Sequence, residues 1–80
     1  MLAKELEAFI KEGVIDRMTI DRTDGASAWS ICAYGENLPA HVVNHLVLNE
    51  QGSKRLWSDL IAAYTFIRKS GFTRMIEVDG

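Results

Sequence analysis

The first dozen positions set apolar residues at Leu2, Leu6, Phe9 and Ile10, the three- and four-residue spacing that lines one helical face. Lys4, Glu5, Glu7, Lys11 and Glu12 fill the remainder, and Glu7 stands four residues before Lys11, an orientation that supports an exposed helix. Gly13 stops it, because glycine readily takes the left-handed conformation, and Val14 supplies the hydrophobic contact that follows such stops. The period then shortens to two. Met18 and Ile20 alternate with Arg17, Thr19 and Asp21, a half-buried strand. Asp24-Gly25 suits a tight hairpin turn. In the returning run, Ala28 to Tyr34, Trp29, Ile31 and Ala33 face one way and Ser30, Cys32 and Tyr34 the other. Trp29 and Ile31 are assigned to the core. The opposite face is less polar than a wetted face should be, which implies a cover.

Gly35 to Pro39 breaks the strand. Residues 40–48 admit two readings: a short helix that groups Leu38, Val42 and His45, or an extended segment favoured by the valines, with a strand from about Asn44 to Glu50. A turn at Gln51-Gly52-Ser53 follows. The next helix starts either at Ser53, or, as preferred, at a Ser58 cap with Asp59 in the first turn after a short return strand, Lys54 to Trp57. It runs to Ser70, with Leu60, Ala63, Tyr64 and Ile67 as its buried stripe, Ile61 on the flank, and Arg68 and Lys69 in the last turn. Gly71 ends it, and Phe72, Arg74, Ile76 and Val78 share one face of a closing strand, with Met75 and Glu77 opposite. Arg74 among apolar neighbours implies an edge, a bulge or a salt bridge. Residues 1–80 therefore read as a single α+β domain: an N-terminal helix, an antiparallel sheet of about four to five strands, and a second helix before the final strand.

Composition changes this picture mainly by what it lacks. With 80 residues, 48% hydrophobic and 25% charged, the chain is an ordinary globular domain whose core must be thin. The single cysteine permits no internal disulfide, so self-association is the visible remedy. A net charge of −2 does not draw it to nucleic acid or anionic membrane as a whole. The amino end carries no apolar signal region and no run approaches the roughly 20 residues of a membrane span, so a cytoplasmic setting is expected.

Candidate chemistry is sparse. His41 and His45, four residues apart, share a side of either a helix or a strand, but a zinc site needs three or four ligands and no further one lies near, so no metal is expected. Cys32 lies within an apolar strand without a basic neighbour and reads as a packed side chain. Nucleophile, phosphate-loop and dinucleotide motifs are missing, and so small a domain has little material to enclose a substrate cleft; no enzyme activity and no cofactor are expected. Lys54, Arg55, Arg68, Lys69 and Arg74 stand against Asp59 alone between 54 and 74, a basic stretch that can contact nucleic acid. Phe66 projects nearly opposite the Leu60–Tyr64–Ile67 stripe, beside Ala62, and with the weakly polar face of Tyr34 it marks a candidate interface, in the simplest case of a homodimer.

Gly52, Arg55, Trp57, Ser58-Asp59-Leu60, Ala62-Ala63, Ile67-Arg68, Gly71 and Glu77-Val78-Asp79 follow one another as turn, basic residue, aromatic, capped helix, glycine stop and closing strand. This cadence resembles small plasmid-borne accessory proteins of the ParC type, linked to partition and stable inheritance, over less than half of the chain. The resemblance implies a non-enzymatic cytoplasmic accessory protein of a mobile element and assigns no residue a role. Together these readings give a small interaction or regulatory protein that self-associates and meets a protein partner, or, alternatively, a nucleic-acid-binding accessory protein.

Overall fold

The computed structural model describes residues 1–22, 27–42 and 45–79. Its elements are helix α1 (Ala3–Lys11), strands β1 (Arg17–Arg22) and β2 (Trp29–Tyr34), helix α2 (Leu60–Lys69) and strand β3 (Ile76–Asp79). β1 lies in the middle of a three-stranded sheet ordered β2-β1-β3. It pairs antiparallel with β2, from Arg17 opposite Tyr34 to Arg22 opposite Trp29, and parallel with β3, from Met18 beside Ile76 to Asp21 beside Asp79. The sheet is thus mixed and smaller than the four to five antiparallel strands expected. The parallel pair arises because α2 carries the chain back before β3 enters.

The missing strands have a local cause. Residues 45–47 and Trp57 take turns along the same outer edge of β2. Ala33 N donates to His45 O and Val47 N to Ile31 O, both at 2.9 Å, and Trp57 exchanges two 2.9 Å bonds with Trp29. Between them the chain leaves the sheet in an excursion whose single bridge joins Leu48 and Lys54. Asn49 Oδ1 holds that excursion together by accepting from Gln51 N and Ser53 N, each at 3.0 Å. Two expected strands therefore become isolated bridges. Upstream, residues 40–42 form neither strand nor helix; Val42 N closes a turn on Pro39 O at 3.0 Å. The expected Asp24-Gly25 turn and the Asn44 strand start lie outside the described residues.

Both helices end on glycine, as expected. At α1, Gly13 (φ 77°) donates to Ile10 O and Val14 to Phe9 O, the paired bonds of a Schellman stop. Glu5 Oε1 accepts from Leu2 N at 3.0 Å at its other end. α2 starts one residue later than expected: Asp59, not Ser58, is the cap, its Oδ1 taking Ala62 N at 2.7 Å. Gly35 is required by close approach, since a Cβ there would lie 1.8 Å from Val14 O.

One hydrophobic cluster holds the chain together. Met18, Ile20, Ile31 and Ala33 project from one face of the sheet and meet Leu6, Phe9 and Ile10 of α1 and Ala63, Phe66 and Ile67 of α2, with Val47, Trp57 and Phe72 closing the sides. The stripe of α2 is rotated from the expected one. Tyr64 is exposed, whereas Phe66, expected to project outward, packs inward with its ring centroid 4.9 Å from that of Trp57. Trp57, bridged through its backbone to Trp29 on the β2 edge and itself buried, provides the apolar surface that draws Phe66 in. Ala62 is likewise half-buried against the cluster.

Two positions on α2 test this rotation. Ile67 is fully buried, so Ile67→Ala should cost about 2–5 kcal/mol. Ile61 is 78% exposed, so Ile61→Ala should stay within about 0.5 kcal/mol in the same urea titration. Equal losses at the two sites would contradict the assigned face.

Candidate functional site

The alternation of β1 and β2 that fills the core also builds the opposite sheet face. Arg17, Thr19 and Asp21 of β1 lie between Tyr34, Cys32 and Ser30 of β2 and, from Thr19 onward, Glu77 and Asp79 of β3. None of these side chains belongs to the cluster that both helices join. The middle is made of small groups: Thr19, Ser30 and Cys32 are buried among larger neighbours rather than under a helix. Thr19 Oγ1 donates to Asp21 Oδ2 at 2.9 Å.

One end of this face carries Arg17, Tyr34 and His45. The Arg17 guanidinium stands 4.4 Å from the Tyr34 ring centroid, and its Nε reaches Glu77 Oε2 at 3.2 Å. Both partners of that ion pair are about half exposed, so it ties β1 to β3 with at most about 1 kcal/mol. His45 lies in the left-handed region (φ 60°), uncommon for a residue with a Cβ. It is held there by the bond from Ala33 N, by its own Nδ1 at 3.1 Å from Ala33 O, and by its ring 4.7 Å from that of Tyr34. His41 turns elsewhere, with Nε2 3.0 Å from Glu5 Oε2, so the two imidazoles serve separate partners. Among the described residues no three His, Cys, Asp or Glu side chains are grouped to hold a metal.

The other end of the face is acidic. Asp21 and Asp79 are neighbours in the β1–β3 register, with Glu77 one row away. Burial pushes the Cys32 thiol up, and the negative charge of Asp21 adds to it. Tyr34 is also raised, first by burial and then by Cys32. Both groups are therefore held in their protonated forms, the opposite of what an activated nucleophile needs.

The expected basic surface is divided. Arg68 spends four of its five N–H donors inside the domain. Nη1 binds Phe72 O at 3.0 Å and Arg74 O at 2.7 Å, while Nε and Nη2 bind Tyr64 Oη at 3.2 and 3.0 Å. It thereby fastens the link between α2 and β3, and β3 begins only at Ile76. Arg55 lies instead over the Trp57 and Phe66 rings, 5.0 and 4.8 Å from their centroids. Lys54, Lys69 and Arg74 are exposed. Arg55 also walls a half-open cleft of about 540 Å³ between Leu2–Lys4 and residues 48–51. Its titratable side chains are Lys4, Glu50 and Arg55.

Of the expected interface residues, Tyr34 belongs to the open sheet face, whereas Phe66 and Ala62 pack against the core. Sequence reasoning placed Cys32 and Tyr34 on this face but missed Asp21, Glu77 and Asp79 as its acidic end. Their adjacency depends on the parallel β1–β3 register, for which alternation within each strand gives no signal. No helix among the described residues is long and apolar enough to cross a membrane. Compared with known proteins, the chain matches no family model, no curated protein and no solved structure.

The charge on Asp21 gives Cys32 a testable reactivity. At pH 7.5 Cys32 should react with a disulfide reagent more slowly than a free thiol. Asp21→Asn should speed the reaction, because removing the negative charge lowers the thiol pKa. An unchanged rate in the variant would contradict the coupling.

Proposed function

We propose that this chain is a small non-catalytic interaction module of the cytoplasm that associates with a second copy of itself and with a protein partner. One observation carries the reading: α1 and α2 join the core on one face of the three-stranded sheet, while the other face is left without a helix among the described residues. A sheet can leave one face in water, but this one has a centre of small, already buried side chains, Thr19, Ser30 and Cys32, and unlike charges at its ends. Two copies set face to face about a twofold axis that lies between the sheets and runs across the strands would bring Arg17 of each toward Asp21 and Asp79 of the other. An accessory role on a plasmid or other mobile element belongs to the same proposal, supported by the resemblance of residues 48–79 to ParC-type proteins.

A second reading has its own support. Arg22 stands over Trp29 at 5.4 Å and Arg55 over Trp57 and Phe66, and neither guanidinium has an ion pair among the described residues. Arginines held on aromatic rings suit nucleic acid as well as acidic protein.

Sedimentation equilibrium, alone and with a generic single-stranded oligonucleotide at low salt, separates the two. Self-association predicts a mass that rises with micromolar protein concentration. Arg17→Glu should then weaken the dimer about tenfold, since two symmetric charge contacts turn repulsive. A monomer at every concentration rejects self-association, and a mass increase only with the oligonucleotide favours the second reading.

A further inference from the structure

β3 pairs with β1 along one edge, and among the described residues no strand or bridge occupies the other. A free edge presents a row of backbone donors and acceptors that template another strand. The apolar side chains beside it are poorly covered: Val78 is 51% exposed and Met75, just before the strand, 82%. Ile76 and Val78 lie on the helix-covered side of the sheet, while Glu77 and Asp79 lie on the open side. The edge therefore alternates apolar and acidic.

The charge pattern discriminates between occupants. A second copy added antiparallel about a twofold axis must keep matching faces, so paired residue numbers add to an even sum. The two registers that keep three β3 residues paired centre on Glu77 or on Val78. The first sets Glu77 against Glu77, and the second sets Glu77 against Asp79; like charges directly opposite destabilise either ladder. Glu77 has Arg17 to offset it, but Asp79 has no ion pair among the described residues. At this edge the carboxylates thus turn away the β3 of a second copy and favour positive charge.

We infer that the free edge of β3 takes an extended, basic segment of a partner protein, added as a fourth strand. Its Lys or Arg residues lie beside Glu77 and Asp79, and its alternate apolar residues lie beside Ile76 and Val78. The inference rests on the interaction-module reading and identifies the chemistry of its protein partner. It uses the sheet edge, whereas self-association is proposed for the sheet face.

The test is a titration of the isotopically labelled protein with a capped heptapeptide of alternating Lys and Val, read by amide NMR shifts. Saturable shifts concentrated at residues 76–79 are expected, with none from the matching Glu/Val peptide. Asp79→Asn should weaken binding about fivefold through loss of one cross-strand charge pair. Silence of β3 toward the Lys/Val peptide, or equal response to both peptides, overturns the inference. So do β3 shifts that grow with protein concentration in the absence of peptide, which would make the occupant a second copy. Sedimentation of the same samples keeps the two proposals apart: a monomer that binds the peptide at β3 defeats self-association alone, and a dimer with a silent β3 defeats the edge site alone.

Discussion

Everything in this domain hangs on β1 being hydrogen-bonded along both edges while Met18 and Ile20 are fully buried on one face. Because a strand alternates its side chains, that burial commits Arg17, Thr19 and Asp21 to the other face. A one-residue slip would put the charges in the core, so the register is strongly specified. The helices then have one face to cover. α1 reaches it through Leu6 and α2 through Ala63 and Ile67, each without solvent exposure. With so little chain, nothing is left among the described elements for the second face. The helix-free face is thus a consequence of how the core was built.

The same economy governs the charges. Arg68 is absorbed in fastening residues 72–74 to α2, which fixes where β3 starts and hence which carboxylates stand beside Asp21. Arg17 is shared between Tyr34 and Glu77. Asp79 at the edge and Arg22 and Arg55 on their aromatic rings are left without ion pairs among the described residues. Surface charge that folding does not use is where recognition chemistry is to be sought. Here it separates into an acidic strand edge and a cation–aromatic group around Trp29, Trp57 and Phe66.

Much of the local structure was legible in the residues. Both helices, their glycine stops, β1 and β2 followed from spacing and from Gly13 and Gly71, because those features depend on neighbours within a few positions. The long-range features were not legible. The shared β2 edge depends on where His45, Val47 and Trp57 meet Ala33, Ile31 and Trp29, whereas the valines suggested one further strand and the Gln51-Gly52-Ser53 turn before a Ser58 cap suggested another. The facing of Phe66 turned on Trp57 being buried beside it, a contact that helical spacing does not encode. The open face was half legible. Cys32 and Tyr34 were placed there by alternation, while its acidic end needed the parallel pairing of β3.

Native-state hydrogen exchange of the backbone amides tests the central claim most directly. If β1 is the doubly paired centre and β3 a free edge, Met18 to Asp21 should exchange only through global unfolding. The β3 amides that point away from β1 should exchange many times faster at protein concentrations where the chain is monomeric. Outward β3 amides as slow as those of β1 under those conditions would mean that the edge is already covered, and would contradict the account.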